Sequence, residues 1–320
     1  MKAIRVHHTG EPDVLQLEEV ADLQPGAGQV VIKVEAAGVN PVETYVRSGK
    51  YPQKAPLPYT PGSDAAGTIA AVGEGVENWN VGDRVFTGRS ISGSYAEFTL
   101  CSADMVFCLP DHISFEQGAA LGVPYATAHR ALFGKAGAKK GESVFIHGAT
   151  GGVGVAAIQL ARAAGLTVGG SAGSPSGERF LASLGLKYTT NHNAPNYMSD
   201  VIGMTCGRGF DIILEMLANQ NLGTDPEALA PYGRIVVIGN RGTVEVNPRD
   251  WMSREATIYG MTLFNVRPEG LREIYNSLVE GLERGELKPQ IDKIFELSQA
   301  PDAHEAVVAP GSRGKIILKP

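Results

Sequence analysis

The sequence predicts an α/β protein built from a β-rich domain and an open, doubly wound parallel sheet. Three observations carry that prediction. At 320 residues the chain is long enough for two domains, taking roughly 150 residues for each. Up to about residue 123 it runs in short β-branched stretches punctuated by Gly, Pro and Asn, the pattern of brief strands and irregular turns. From about residue 124 to 254 the rhythm becomes strand, Gly-rich turn, amphipathic helix, strand, which is how parallel βαβ units read. The expected division is 1–123 for the β-rich domain, 124–254 for the parallel sheet, and 255–320 as a return to the first domain.

Val30 to Glu35, Thr68 to Val72, Arg84 to Phe86 and Tyr95 to Leu100 are the expected strands of the first domain. In the second, Ser143 to Ile146 is a first buried strand, and a helix follows over Val153 to Ala164. Leu166 to Gly170, Phe210 to Leu214 and Arg234 to Ile238 supply further strands, with helical stretches over Arg179 to Leu184 and Asp225 to Leu229. In the tail, Thr257 to Leu263 is strand-like, Glu269 to Arg284 a long helix with a polar face, and Gly314 to Leu318 a final strand. There is no repeat, low-complexity tract or Pro/Ser-rich linker. The domains are therefore expected to pack around a cleft, where ligands usually sit.

Hydrophobic residues make up 43% and charged residues 19%, a folded composition far from that of disorder. Gly accounts for 40 residues, which points to tight turns or close backbone approaches. A net charge of −6 and a pI near 5.7 offer no basic face to a polyanion, so nucleic acid is not the expected main partner. Cys101, Cys108 and Cys206 lack C-x-x-C spacing, so they build neither a disulfide framework nor a Cys-rich zinc site and fit a reducing compartment. Met1 to Val14 carries charges and a Gly-Glu-Pro turn where a signal peptide needs an apolar stretch. No segment approaches the roughly 18 apolar residues of a membrane span, and a cytoplasmic protein is expected.

The sharpest local signal is Gly148-Ala149-Thr150-Gly151-Gly152-Val153-Gly154, directly after an apolar strand and before a helix. A Cβ in such a turn blocks the approach of a pyrophosphate, whose charge the helix N-terminal amides then hold. In G-x-G-x-x-G register Ala149 takes the first position, with Gly151 and Gly154 in the others, so the bare motif is imperfect. Binders of the unphosphorylated dinucleotide usually carry Asp or Glu about 20 residues on. Here that stretch runs Ser171-Ala172-Gly173-Ser174-Pro175-Ser176-Gly177, with no carboxylate before Glu178 and with Arg179 next to it. Small hydroxyl residues and a cation suit a 2′-phosphate, which favours NADPH over NADH; the same serines also suit helix capping.

Longer colinear blocks carry a resemblance. They are Gly38 to Tyr45 with Arg47-Ser48-Gly49, Pro58 to Asp64, Gly82 to Phe86, His147 to Gly154, Glu215 to Asn219, Arg241 to Asp250 and Gly260 to Phe264. Across nearly its full length the chain resembles the zinc-free, zeta-crystallin-like quinone oxidoreductases of the medium-chain dehydrogenase/reductase superfamily. The resemblance implies a GroES-like β-rich catalytic domain, a Rossmann domain, NADPH as cofactor and quinones as acceptors. By position it implies cofactor contacts at Tyr45, Thr150, Gly151, Gly152, Val153, Gly173, His192 and Asn221. Ile238, Gly239, Asn240, Arg241, Met261, Thr262 and Leu263 join them, and Asn40 and Thr127 are implied neighbours of the nicotinamide. From the residues alone, His192 reads equally as a loop histidine, Asn221 as a cap, and Arg241 as a surface charge.

Zinc alcohol dehydrogenases of that superfamily place a Cys after the Gly-Val at Gly38-Val39 and a His-Glu pair after the Gly at Gly62. This chain has Asn40 and Ser63-Asp64 there, which supply neither thiolate nor imidazole for a tetrahedral site. Asp64 and Asp104 are read as solvated or helix-capping carboxylates, and no metal is expected. Without a metal, an unactivated ketone is a poor hydride acceptor. A quinone spreads the charge over its ring, so orientation against the nicotinamide suffices. Tyr45 and Tyr51, with Asn40, are the candidate catalytic residues; for Tyr51, packing at the domain border is the alternative. Gly93-Ser94-Tyr95 lacks the G-x-S-x-G of a nucleophile elbow, and His7-His8 reads as a solvated strand edge.

The expected function is reduction of ortho-quinones by NADPH, with one-electron transfer to a semiquinone implied by the resemblance. NADPH-dependent reduction of conjugated C=C bonds is a second reading, and an NADPH-binding or RNA-binding role a third. The resemblance also implies a homo-oligomer, dimer or tetramer, with Thr257 to Met261 pairing edge to edge. Loops such as Ser48 to Pro58 are expected to shape the acceptor pocket.

Overall fold

The computed structural model describes residues 1–52 and 55–320, and the chain divides into two compact units. Part of the Ser48 to Pro58 loop, residues 53 and 54, lies outside the described residues. The first unit comprises Met1–Pro124 and Arg267–Pro320, the second Tyr125–Val266. The return to the first unit comes at Arg267 and not at residue 255, because the strand Thr257–Gly260 pairs in parallel with Leu229–Val237.

The first unit is organised around the 11-residue strand Gln29–Val39. It pairs antiparallel with Asp64–Val72, with Phe98–Ser102 and, through its last residues, with Lys315–Lys319. The β-branched residues that announce the strand in sequence fill the core: Val30, Ile32, Ile69, Val85 and Cys101 form one buried cluster. Ile4, Val34, Val39, Tyr95 and Leu318 belong to another, covered by Ala300 and Ala303 of the helix Ala300–Val308. The helix Pro268–Glu283 starts with proline at its first position, where the missing N–H costs nothing, and buries Leu271, Ile274, Tyr275, Leu278 and Leu282 on one face.

All six strands of the second unit are parallel. Across the sheet they run Tyr188–Asn191, Thr167–Ala172, Ser143–Ile146, Phe210–Glu215, Leu229–Val237, Thr257–Gly260. The strand order therefore reverses between Ser143–Ile146 and Phe210–Glu215, the arrangement that opens a crevice at the strands' C-terminal ends. Ser143–Ile146 is buried at all four positions, which is why it reads as a continuous apolar run. Tyr188–Asn191 has no such signal: it is an edge strand, largely half-exposed and polar. Phe145, Phe210, Ile213, Leu229 and Ile235 make the core beside the sheet. Among the described residues no helix is long and apolar enough to cross a membrane, and Cys101, Cys108 and Cys206 are free thiols.

One glycine fixes how closely the first unit's strands pack. A Cβ on Gly38 would lie 2.2 Å from the Ala119 carbonyl oxygen and 2.6 Å from Lys315 Cε. The Ala119 carbonyl is backbone, and Gly38 itself is held by its pairing with Ile317 across the sheet. Gly38→Ala is expected to lower stability by more than about 2 kcal/mol, read from urea denaturation.

Candidate active site

The predicted cofactor residues of the second unit gather at the C-terminal rim of its sheet. Gly148 follows the first strand with φ +55°. Its N–H donates to Ser171 Oγ at 3.1 Å and that of Ala149 to the Ser171 carbonyl at 2.8 Å, which ties the turn to the neighbouring strand. Gly151 caps the helix Gly152–Ala163, whose first intrahelical bond runs from Val155 N–H to the Gly151 carbonyl. The amides before it, on Gly152, Val153 and Gly154, are the ones a helix start leaves for a ligand. The glycines do separate jobs. A Cβ on Gly154 would strike the Ala149 carbonyl at 2.5 Å, so that position is fixed by folding. At Gly151 nothing comes nearer than 3.8 Å, leaving the room that an approaching phosphate needs. The turn thus fits a dinucleotide pyrophosphate. Thr150 and Val153 flank these glycines within the same turn and first helical turn.

Gly173 and Ser174 follow Thr167–Ala172, and Ser174 caps the helix Pro175–Ser183 by accepting from Gly177 N–H at 3.2 Å. Arg179 is exposed on that helix. His192 follows Tyr188–Asn191 and lies with Nδ1 3.3 Å from Ser171 Oγ, so His192, Ser171 and the glycine turn are brought together. Asn221 donates to Glu215 Oε1 at 3.2 Å. Ile238, Gly239, Asn240 and Arg241 follow the fifth strand: Gly239 accepts from Ala218 N–H at 3.0 Å, Asn240 Nδ2 donates to the Gly242 carbonyl at 2.6 Å, and Arg241 N–H donates to Asn219 Oδ1 at 2.9 Å. Met261 N–H reaches the Val237 carbonyl at 3.2 Å, with Thr262 and Leu263 next to it. Thr127 is buried within the helix Gly122–His129.

In the first unit Asn40 precedes the helix Pro41–Arg47, and its surroundings are not those of an isolated cap. Asn40 Nδ2 donates to Asp64 Oδ2 at 2.9 Å and to Glu43 Oε1 at 3.1 Å, and its backbone N–H to Glu43 Oε2 at 2.8 Å. Lys315 Nζ donates to Asp64 Oδ2 at 2.8 Å and to Asn40 Oδ1. Asp64 Oδ1 also accepts from Val123 N–H at 2.8 Å. The expectation of a solvated Asp64 is therefore corrected: the residue is fully buried and ion-paired. A buried carboxylate without a cation is too costly to keep charged, and Lys315 is the cation. Tyr95 donates to Glu43 Oε2 at 2.5 Å, and its oxygen accepts from His304 Nε2 at 3.2 Å. Burial, offset by Lys315 and reinforced by Asp64, raises the Glu43 pKa; burial, then the Arg47 charge, pushes that of His304 down to about 3. Tyr45 and Tyr51 are half-buried, joined by Tyr51 N–H to the Tyr45 carbonyl at 3.1 Å.

Glu43 stands three residues after Asn40, the spacing of a capping box, and was open to sequence reading. Lys315 was not: it lies 275 residues from Asn40 and only the fold brings them together. The donor set around Asn40 is its own amide, the Glu43 carboxyl and the Asp64 carboxylate ion-paired to Lys315, with neither thiolate nor imidazole, which does not fit zinc. Among the described residues one compact group of three possible metal donors occurs, His147, Glu215 and Asp225. His147 Nε2 lies 2.7 Å from Asp225 Oδ1, a hydrogen bond closed by a proton.

Residues 26–111 match the family described as alcohol dehydrogenase GroES-like domain, and residues 152–280 the one described as zinc-binding dehydrogenase. The chain is 48% identical to the quinone oxidoreductase of Homo sapiens over 99% of its own length and 97% of that protein's. Among solved structures, an NAD-dependent alcohol dehydrogenase superimposes with a TM-score of 0.94 at 27% identity, each chain covered fully. A mycobacterial protein complexed with NADPH superimposes at 0.91 with 29% identity, again over the whole of both chains.

Removing the Lys315 charge isolates Asp64. Lys315→Met is expected to cost about 3–5 kcal/mol, and adding Asp64→Asn to recover most of it, measured as a double-mutant cycle in urea. His304 stays neutral when folded but gains a proton below its ordinary 6.5 when unfolded. Stability should therefore fall as pH drops from 6.5 toward 3, by about 2 kcal/mol near pH 5. His304→Gln is expected to flatten that acid limb.

Proposed function

The chain belongs to the quinone oxidoreductases of the medium-chain dehydrogenase/reductase superfamily, and from that membership we propose that it is a metal-independent NADPH:quinone oxidoreductase. It is an enzyme of the oxidoreductase class. A bound nicotinamide supplies the hydride; the chain's residues bind, orient and exclude water. The helix start at Gly152, with open space over Gly151, supports pyrophosphate binding.

One observation carries the cofactor choice. Of the two solved neighbours one is an NAD-dependent alcohol dehydrogenase and the other is complexed with NADPH, so this chain's own residues decide. After Ala172 the rim offers Gly173, Ser174 and Ser176, with Arg179 on the following helix and no carboxylate before Glu178. An acid there would accept from a ribose hydroxyl and repel a 2′-phosphate. Its replacement by small hydroxyl residues near a guanidinium supports the phosphate.

The acceptor follows from the polar cluster in the first unit. Asn40 and Ser63 offer an amide and a hydroxyl, and Asp64 is held by Lys315, so a Lewis acid has no soft or imidazole donors there. A conjugated, readily reduced acceptor needs orientation rather than such a group. Tyr45 and Tyr51 suit that task, each with a flat apolar face and a hydroxyl. The outer strand Thr257–Gly260 pairs on one side only within the described chain and leaves Ile258 45% exposed, which supports edge pairing with a second copy.

The test is the initial rate of NADPH oxidation by an ortho-quinone in excess chelator, beside NADH at the same concentration. NADPH is expected to win by about tenfold or more, the worth of a charge-assisted phosphate contact, with no loss to the chelator. A faster rate with an alkenal than with the quinone would replace quinone reduction by conjugated C=C reduction, and chelator inhibition would overturn metal independence.

A further inference from the structure

His147 closes the strand Ser143–Ile146 and immediately precedes the glycine turn; Glu215 closes the neighbouring strand Phe210–Glu215. They flank the point where the strand order reverses, where open parallel sheets bind nucleotides. Asp225, from the short helix Asp225–Ala228, completes the group, and all three side chains are buried. His147 Nε2 lies 2.7 Å from Asp225 Oδ1 and 3.4 Å from Glu215 Oε2. With both carboxylates ionised, one imidazolium leaves an unbalanced negative charge, and Glu215 Oε2 and Asp225 Oδ2 have no hydrogen-bond partner among the described residues. The cluster lacks one positive charge.

We propose that His147, Asp225 and Glu215 are positioning residues for the cofactor loops, and that a proton carried by Glu215 holds the glycine turn in its dinucleotide-binding form. This rests on the NADPH reading above. The connections run outward from Glu215. Its Oε1 accepts from Leu217 N–H and from Asn221 Nδ2, and its backbone carbonyl accepts from Ile238 N–H at 2.9 Å and Gly239 N–H at 3.3 Å. Three rim segments therefore meet at this residue: the start of the glycine turn, through His147, and the 217–221 segment at its carboxyl, and the 238–241 segment at its backbone carbonyl. On the far side, His147 Nδ1 lies 2.8 Å from the Tyr197 hydroxyl.

The titratable groups bearing on Glu215 are His147, Asp225 and Tyr197, with His192 acting on His147. Burial pushes the Glu215 carboxyl up to about 7, with Asp225 adding to the rise and His147 opposing it. Burial works against the charged form of His147, but Asp225 and Glu215 outweigh it and its pKa is raised. Above about 7 Glu215 loses its proton, two buried carboxylates then share one imidazolium, and the negative excess sits beside the pyrophosphate loop. NADPH affinity should therefore fall as pH rises. Without cofactor the sign is the same for stability: a raised folded pKa contributes fully below the ordinary 4.5 and is lost as pH rises through about 7.

The experiment measures NADPH Kd by fluorescence from about pH 6.5 to 9, above the second phosphate ionisation near 6, for the full-length protein, Glu215→Gln and Asp225→Asn. Cofactor-free urea stability is measured alongside. The native protein is expected to lose about tenfold in affinity, as a one-unit coupling between binding and protonation requires. Glu215→Gln, neutral throughout, should hold its affinity, and Asp225→Asn, lacking the like charge, should move the midpoint below 7. Parallel pH curves for all three, or a uniform loss in Glu215→Gln at every pH, would mean a merely structural cluster and overturn the proposal. If Glu215→Gln fails to fold, the Asp225→Asn midpoint decides alone. NADPH binding to none of them at any pH would instead overturn the cofactor reading, and the proposal with it.

Discussion

The Lys315–Asp64 ion pair is the interaction on which the first unit's architecture most depends. Both partners are buried, 2.8 Å apart, and each arrives on a different strand that pairs with Gln29–Val39. A lone charge at that depth costs several kcal/mol, which close pairing and further hydrogen bonds must offset. Asn40 supplies those bonds to both partners at once, its amide nitrogen to Asp64 and its amide oxygen to Lys315. The cation therefore belongs to the fold. It fixes the end of Gln29–Val39, where the helix Pro41–Arg47 begins and carries Tyr45. Gly38 is the steric counterpart of the same constraint: a Cβ there would meet the Ala119 carbonyl and crowd both Lys315 and Asp64.

In the second unit the governing constraint is the reversal of strand order. Because the first and fourth strands lie side by side with their following segments leading away in opposite directions, the rim between them is where a helix start can face a ligand. The glycines there divide between two demands. Gly154 answers to close packing of helix on turn, while Gly151 leaves space that the fold itself does not use. A turn shaped only by folding would carry the first kind. The second kind is what a phosphate-binding turn needs, and Ala149 in the first position, fully buried, takes none of that space.

How much was legible in the sequence follows from the range of the interactions. The strand Ser143–Ile146 and the helix after it are local apolar patterns bounded by glycines, and the structure has them within a residue of the expected limits. Thr257–Gly260 was recognised as a strand but placed in the wrong unit, since no local pattern says which sheet a strand joins. Tyr188–Asn191 left no trace because a polar edge strand needs only its backbone. Of the site, the glycine turn and the missing acid after Ala172 were readable. Asp64 was misread as solvated because its partner Lys315 is 251 residues away, and chain distance of that order hides any pairing from inspection of residue types.

The two buried charge clusters differ in one physical respect that gives them different uses. Around Asp64 the compensating charge is an ammonium carried by the chain itself. Around Glu215 two carboxylates face a single imidazolium, so balance requires one further proton, which can leave. A cluster closed by a covalently carried cation is a structural fixture. A cluster closed by an exchangeable proton has two states of similar energy near neutrality, and what it touches is sensitive to which state is occupied. Here it touches the start of the glycine turn and the two neighbouring rim segments, while the fixed pair touches strand ends and a helix cap. The imbalance therefore lies at the strand-order reversal, beside the glycine turn, where the occupied state of the cluster bears on the rim.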